Sequence, residues 1–249
     1  MTMLERYSQF VQRLIDKPAI ELGNELMDME YRAVIFDLDG TLVHTAPDIA
    51  AILNTVLADK NVRSFDTSEA EQLMGGGITE LIERSLKRRG LDSEASAVEK
   101  VESQFMKLYL DHPVIATQAY PHAVETLAAV VKEGFVIGVC TNKAEKPARM
   151  ILDRTGLAEH VKAVVGGDSG HGLKPDPAPL LACASLLGVS TRQIIYVGDS
   201  PVDVAAGRAA GARVIFATYG YGRFGERPIP SGDQINCLSA LPHAMQMFG

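Results

Sequence analysis

The sequence predicts an α/β fold in which a doubly wound parallel sheet carries a small inserted helical domain. Short, continuous apolar runs recur along the chain, as they do in strands that are buried on both faces of a parallel sheet. Helical patterns separate these runs, and strands that alternate with helices indicate βαβ units. The helical stretch after the first run is too long to be a single crossover, so it predicts an insertion.

The apolar runs and the helical patterns between them define the predicted core. The predicted strands are residues 33–36, 135–140, 163–165, 194–197 and 214–217. The predicted helices between them are residues 123–132, 144–155, 178–187 and 202–210. We therefore expect a Rossmann-like core made of residues 31–45 and 119–249.

Residues 46–118 form the predicted insertion. Its helical patterns are residues 49–57, 67–74, 79–89 and 93–110, and the triple glycine at 75–77 interrupts them. We expect a small helical domain that two linkers, near residues 45–47 and 116–120, connect to the core. Before the core, residues 1–30 predict an extension of two short helices separated by Lys17-Pro18, and after it the Gly- and Pro-rich residues 220–233 predict a surface loop.

The composition limits the kinds of partner that the protein can have. The chain has 249 residues and a formal net charge of -7, so a basic surface for nucleic acid is not expected. A small anionic substrate remains possible, because a site can be cationic inside an acidic protein. Three cysteines without a C-x-x-C pair, no secretory signal and no apolar run of about 18 residues predict a soluble cytoplasmic protein. The sequence leaves open whether the protein is a monomer or a homodimer.

Polar residues follow four of the predicted strands or the loops directly after them. Because ligands of open parallel sheets bind outside the carboxyl ends of the strands, we expect these side chains to converge at one edge. In chain order, the residues are Asp37, Asp39, Thr141, Asn142, Lys174, Asp199 and Asp203.

Each residue type in this set suits phosphoryl transfer. Clustered carboxylates repel one another unless a cation neutralises them, and oxygen ligands of this kind suit Mg²⁺. A lysine, a hydroxyl and the N–H groups of glycine-rich turns form a cradle for an anion. A metal, a cradle and a further carboxylate together favour transfer through an aspartyl-phosphate.

Every member of the set also has a structural explanation when it is taken alone. The Asp39-Gly40 pair is typical of a turn after a strand, and Thr141-Asn142 of a helix N-cap. Lys174 alone is more often a solvated surface lysine, and Asp203 suits the first turn of a helix. The order of these residues and their common position after strands favour the functional interpretation.

The same residues resemble the motifs of the haloacid dehalogenase superfamily over about residues 32–220. The segment 37–42 (Asp-Leu-Asp-Gly-Thr-Leu) resembles its first motif, Thr141-Asn142 the second, Lys174-Pro175 the third and residues 198–203 the fourth. The insertion resembles the helical cap of one large subfamily. Finer features look most like the phosphoglycolate phosphatases; these are residues 42–48, 74–77, 120–121, 140–143 and 174–181.

This resemblance implies a role for each residue of the first motif. Asp37 would attack phosphorus and also ligate Mg²⁺. Asp39 would protonate the leaving alcohol, then activate water, and its backbone carbonyl would ligate the metal. Gly40 would belong to the phosphate site. Dehalogenases and phosphonate-cleaving relatives lack an acid at the position of Asp39, so its presence favours phosphate esters.

The later motifs complete the implied site. Thr141 and the backbone of Asn142 would bind phosphate, and Lys174 would neutralise the nucleophile and the transferring group. Asp199 and Asp203 would complete the metal site with Asp37 and Asp39; Asp199 would ligate the ion, and Asp203 would support the ligands or orient Lys174. His44 stands where relatives usually carry an acid, which suggests a tolerated replacement beside the hinge or, less favoured, a contact with substrate.

A cap that closes over the site favours a small phosphate monoester. The resemblance implies 2-phosphoglycolate, whose carboxylate would need a cation such as Arg84 on the helix after the triple glycine. Other small phosphates (a sugar phosphate, a nucleotide or pyrophosphate) and a sugar phosphomutase remain alternatives, and a binding protein without catalysis is the remote one.

Overall fold

The centre of the molecule is a six-stranded parallel sheet with the strand order β5-β4-β1-β6-β7-β8. The computed structural model describes residues 31–111, 115–222 and 233–247. The strands of the sheet are β1 (Ala33–Phe36), β4 (Val136–Cys140), β5 (Val161–Val165), β6 (Ile194–Gly198), β7 (Arg213–Ala217) and β8 (Gln234–Ile235). A separate antiparallel pair consists of β2 (Val43–His44) and β3 (Gln118–Ala119).

Helices lie on both faces of the sheet, because the central strands are apolar on both faces. In β1, Val34 and Phe36 belong to one core cluster, and Ala33 and Ile35 belong to another. The helices of the core are α5 (Ala123–Lys132), α6 (Glu145–Arg154), α7 (Ala178–Leu187), α8 (Pro201–Ala210) and α9 (Leu241–Gln246). Residues of α5 and α6 pack in the first cluster and residues of α7 pack in the second. The predicted doubly wound parallel sheet is therefore confirmed.

Four helices lie between β2 and β3 and form the observed insertion. They are α1 (Ala46–Val56), α2 (Thr67–Leu73), α3 (Ile78–Arg88) and α4 (Ala95–Asp111). Because β2 pairs with β3, the chain leaves the core and returns to it through one two-stranded ribbon. Buried Asp48 fixes the return path: it accepts hydrogen bonds from Ala116 N (2.9 Å), Thr117 N (2.9 Å) and Thr117 Oγ1 (2.7 Å).

The observed helices begin and end within about three residues of the predicted ones, whereas the shortest strands and α9 were not predicted. A strand of two residues such as β2 or β8 has no apolar period that a sequence could reveal. The helices predicted within residues 1–30 and most of the loop predicted at 220–233 lie outside the described residues. Of the helices that the structure does describe, none combines the length and apolar character needed to cross a membrane.

Close packing of α8 on the sheet depends on Gly207. A Cβ atom at this position would lie 2.5 Å from Val214 Cγ2 and 3.0 Å from Tyr196 Cδ1. We expect Gly207→Ala to lower the free energy of unfolding by about 1–3 kcal/mol, because the added methyl group forces the helix away from β6 and β7. Urea unfolding followed by circular dichroism measures the change.

The reverse substitution on the same helix serves as the control. Alanine has a higher helix propensity than glycine. Ala205→Gly, at an exposed position, should therefore lower the free energy of unfolding by about 1 kcal/mol through propensity alone. A Gly207→Ala protein that is more stable than the parent would contradict the packing argument, because propensity would then outweigh the close contact.

Candidate active site

The carboxyl edge of the sheet gathers the predicted functional residues. Since β1 lies between β4 and β6, Asp37 after β1 is flanked by Thr141 after β4 and by Asp199 after β6. The loop after β5 brings in Lys174, and the first turn of α8 brings in Asp203. The structure thus brings together residues that the sequence separates by more than a hundred positions.

Lys174 is a buried cation that contacts carboxylates from two different elements. Its side chain is 2% exposed, and its Nζ lies 2.8 Å from Asp37 Oδ1 and 2.6 Å from Asp203 Oδ1. The ammonium also donates to the Tyr196 hydroxyl at 3.0 Å. Burial alone would lower the pKa of Lys174, but the negative charges of Asp203 and Asp37 raise it above its ordinary value. Lys174 is therefore held in its charged form.

Asp203 is the fixed partner of this cation. Its Oδ1 accepts from Lys174 and, at 2.8 Å, from the Tyr196 hydroxyl, while its Oδ2 accepts from Ser200 N (3.0 Å) and Ser200 Oγ (2.6 Å). Burial would raise the pKa of Asp203, but Lys174 and these hydrogen bonds bring it below its ordinary value. With both oxygens engaged, Asp203 is placed to orient Lys174.

Three buried carboxylates form a cluster that could hold a divalent cation. One oxygen from each of Asp37, Asp199 and Asp203 lies within 4.8 Å of the other two. Burial, together with the charges of neighbouring carboxylates, raises the pKa of Asp37 to about 6 and that of Asp199 to about 7. Lys174 supplies a single positive charge to the three, so the donor set suits an ion of charge two that takes oxygen ligands.

Asp199 is oriented by the loop that follows β7. Its Oδ2 accepts from Tyr221 N at 2.7 Å and Gly222 N at 3.1 Å, and its Oδ1 accepts from Thr41 Oγ1 at 3.0 Å. Gly40 makes room for it: a Cβ at Gly40, whose φ is +86°, would lie 2.4 Å from Asp199 Oδ2. Only glycine satisfies both the left-handed backbone and this close approach.

Asp39 has a different environment although it is two residues from Asp37. Lys143 Nζ donates to both of its oxygens, at 2.9 Å and 3.1 Å, and Thr45 Oγ1 donates to Oδ1 at 2.6 Å. Burial would lower the pKa of Lys143, but the charge of Asp39 raises it above its ordinary value. Each of the two aspartates at the end of β1 thus has its own lysine.

The Asn142 side chain connects the core with the insertion. It donates to Lys174 O (2.9 Å) and to Gly75 O (2.9 Å), and it accepts from Lys174 N (2.8 Å). Thr141 Oγ1 accepts from Lys143 N at 3.2 Å. The side chain of Asn142, a residue of the predicted phosphate site, therefore also fixes the backbone of Lys174 and the glycine loop of the insertion.

Tyr221 is a residue of the site region that sequence reasoning missed. Its hydroxyl accepts from Thr45 N (2.7 Å) and Ala46 N (3.2 Å) and lies 3.0 Å from His44 Nδ1. Because two N–H groups occupy its lone pairs, the hydroxyl must donate to His44 Nδ1. This contact places His44 on β2 of the ribbon, beside the loop after β7. An aromatic residue in a Gly- and Pro-rich loop gave no signal of this contact.

A cavity of about 580 Å³ lies between the strand ends and the insertion. Asp37, Asp39 and Lys174 line its core side, and α3 and α4 line its other side. Arg84 is among the lining residues, but its guanidinium pairs with Glu80 on the same helix and is 47% exposed. Lys143, which the sequence did not single out, also faces this cavity.

Comparisons with known proteins agree with the predicted motifs. The family model described as haloacid dehalogenase-like hydrolase matches residues 34–217. A phosphoglycolate phosphatase of Rhodospirillum rubrum is 42% identical over 196 residues, which are 77% of this chain and 81% of that protein. An N-acetylmuramic acid 6-phosphate phosphatase of Pseudomonas aeruginosa is 34% identical over 193 residues, which are 78% of this chain and 84% of that protein.

A solved structure is also similar over the length of the described chain. It is that of a predicted phosphoglycolate phosphatase from Haemophilus somnus, with a TM-score of 0.77 and 28% identity. The match covers 88% of this chain and 100% of the other.

The hydroxyl of Tyr196 stabilises the buried ion pair, and its removal tests that role. We expect Tyr196→Phe to lower the free energy of unfolding by about 1–3 kcal/mol, because Lys174 and Asp203 each lose a partner in a place that water does not reach. Chemical denaturation of both proteins measures the difference.

Tyr109→Phe is the matched control for this measurement. Tyr109 is also buried, at 4% exposure, but among the described residues its hydroxyl has no hydrogen-bond partner. Its removal should leave the free energy of unfolding unchanged or slightly raised. Equal losses in the two variants would contradict the assignment of a stabilising role to the Tyr196 hydroxyl.

Proposed function

The chain belongs to the haloacid dehalogenase-like hydrolases and is a phosphoric monoester hydrolase, and from this premise we propose that it is a Mg²⁺-dependent phosphatase with Asp37 as its nucleophile. One observation carries the mechanism: two aspartates two residues apart both line the cavity but contact different groups. Asp37 lies beside Lys174 and Asp199, whereas Asp39 accepts hydrogen bonds from Lys143 and Thr45.

The proposed reaction has two steps, and Asp39 acts in both. Asp37 attacks phosphorus, the bond between phosphorus and the leaving oxygen breaks, and Asp39 gives that oxygen a proton. Asp39 then takes a proton from the water that attacks the aspartyl-phosphate, which restores Asp37 and releases inorganic phosphate. Lys174 stays charged throughout and stabilises the negative phosphoryl oxygens, while Thr141, Gly40 and the Asn142 backbone bind them.

The donor set of the site fits Mg²⁺. Side-chain oxygens of Asp37 and Asp199 and the backbone carbonyl of Asp39 would hold the ion, which when bound neutralises charge on the phosphoryl oxygens. Asp203 belongs to the same cluster, but four hydrogen bonds engage its oxygens, so we propose that it supports the ligands by orienting Lys174.

We further propose 2-phosphoglycolate as the substrate, in the cytoplasm of the cell, with residues 46–118 acting as the cap. The cavity, about 580 Å³, has room for a small phosphate ester, and the relative at 42% identity carries that activity in its name. Arg84 remains a proposed substrate contact from the insertion. The relative named for N-acetylmuramic acid 6-phosphate favours another small phosphate monoester as the second candidate.

Removal of the Asp37 carboxylate and removal of the Asp39 carboxylate should affect different parts of the reaction. We expect Asp37→Asn to lower phosphate release from 2-phosphoglycolate by at least about 10³-fold, because the nucleophile is lost. Asp39→Asn should retain the nucleophile and lower turnover by about 10²–10⁴-fold. Release of inorganic phosphate measures turnover, and intact-protein mass spectrometry detects the phosphoryl group on the protein.

Asp153→Asn on the exposed face of α6 serves as the matched control and should keep the parent activity. Phosphate release that persists undiminished in Asp37→Asn would refute the mechanism. Conversion of a sugar phosphate into its isomer without net phosphate release would instead indicate a mutase.

The raised pKa values of Asp37 and Asp199 predict how pH acts on the metal-free protein. An acid whose folded pKa is raised binds more protons when folded than when unfolded. Stability should therefore fall by several kcal/mol as pH rises from the ordinary value of 3.8 through about 6 and 7. Mg²⁺ should remove this loss, so it should stabilise the protein more at about pH 8 than at about pH 5.

Thermal unfolding with and without Mg²⁺ across this range measures the effect. Asp199→Asn should lose most of the response to Mg²⁺ and part of the dependence on pH. A Mg²⁺ effect of the same size at both ends of the range, or its persistence in Asp199→Asn, would contradict the assignment of the ion to these carboxylates.

A further inference from the structure

Two donors line the cavity without touching the reacting atoms in the reaction described above: Lys143, which pairs with Asp39, and Tyr109. Lys143 comes from the core after β4, and Tyr109 comes from α4 of the insertion. Lys143 Nζ lies 5.0 Å from the centre of the Tyr109 ring, and both residues line the cavity. We propose that these two residues bind a carboxylate on the leaving alcohol, so that the site selects phosphate esters of small 2-hydroxy acids.

This inference rests on the proposed function, because the position of Asp39 defines where the leaving group lies. The leaving oxygen must come within about 3 Å of Asp39 to receive its proton. Lys143 Nζ lies 2.9 Å from that same carboxylate. A group one carbon away from the ester carbon is therefore within reach of the Lys143 ammonium.

The hydrogen-bonding capacity of the pair favours an acceptor. The ammonium of Lys143 has three N–H donors, and Asp39 is the acceptor that the structure describes for them. The Tyr109 hydroxyl is buried and, within the described residues, has no hydrogen-bond partner. A buried hydroxyl without a partner is costly unless a ligand supplies one. A carboxylate, with two oxygens, can accept from both groups at once.

The charges around the cavity favour Lys143 over Arg84 for this task. The side chain of Lys143 is 8% exposed, whereas that of Arg84 is 47% exposed and pairs with Glu80. Glu71 and Glu80 also line the insertion side of the cavity. An anion near α3 would therefore meet two carboxylates and one partly solvated guanidinium, while an anion beside Lys143 meets a desolvated ammonium.

The test compares two substrates in each protein. The first is 2-phosphoglycolate, and the second is its neutral amide, 2-phosphoglycolamide, which keeps the ester and the size of the leaving group. We expect Lys143→Met to lower the ratio of kcat/KM values (acid over amide) by about tenfold or more, because one charge-assisted hydrogen bond is lost. If the loss of Lys143 also impairs Asp39, kcat/KM falls for the acid and for the amide alike, so this effect cancels in the ratio.

A second variant does not touch Asp39 at all. Tyr109→Phe should lower the same ratio by about three- to tenfold, mainly through a higher KM for the acid. Lys146→Met is the matched control: this lysine is exposed at the start of α6 and does not line the cavity, so the ratio should stay that of the parent. A ratio unchanged in both Lys143→Met and Tyr109→Phe, or one that falls only in Arg84→Met, would overturn the inference.

A binding measurement separates this inference from the proposed substrate. With p-nitrophenyl phosphate as the substrate, glycolate should inhibit the parent more strongly than glycolamide, and this preference should disappear in Lys143→Met and in Tyr109→Phe. If glycolate is preferred but 2-phosphoglycolate is not hydrolysed, the proposed substrate is wrong. The inferred carboxylate site at Lys143 and Tyr109 would still be supported. Equal inhibition of the parent by glycolate and glycolamide would overturn the anion site itself.

Discussion

The site depends on one buried cation, Lys174, which pairs with the two carboxylates of Asp37 and Asp203. An ammonium that is 2% exposed is stable only if its neighbours compensate the loss of water, so the surrounding elements are arranged to hold these partners. Asn142 fixes the Lys174 backbone, and α8 presents Asp203 in its first turn. Gly207 allows α8 to approach the sheet closely, so it helps to set the position of Asp203, on the same helix, relative to Asp37.

The two aspartates after β1 show how a local sequence can acquire two chemical roles. Asp37 lies among other carboxylates, and burial raises its pKa to about 6, so a bound cation would favour the ionised form that the proposed nucleophile needs. Asp39 lies beside a lysine and a hydroxyl at the cavity, where we propose that the leaving group binds. Gly40 follows directly in a left-handed conformation and turns the chain, so consecutive side chains enter different surroundings.

The sequence predicted the parts of this arrangement that have a period or a motif. Runs such as 33–36 are apolar because both faces of the strand are buried, and Asp37 and Asp199 end such runs. Lys143, Tyr109 and Tyr221 were not predicted, since their contacts join segments that are far apart in the chain and follow no period. The sequence places Tyr109 on α4 as an ordinary core residue of an amphipathic helix. Only the fold shows that Tyr109 lines the cavity and that, among the described residues, its buried hydroxyl has no hydrogen-bond partner.

Contacts between core and insertion tie catalysis to the choice of substrate. The ribbon of β2 and β3 brings both linkers to one point, and the Tyr221 hydroxyl holds its backbone at Thr45 while the Thr45 side chain binds Asp39. Asn142 binds the glycine loop through Gly75 O and holds Lys174 with the same amide. The residues that contact the insertion are thus the residues that position Asp39 and Lys174, so we propose that the insertion and the chemistry are coupled. In that proposal, a leaving group that binds Lys143 and Tyr109 also completes the surroundings of Asp39.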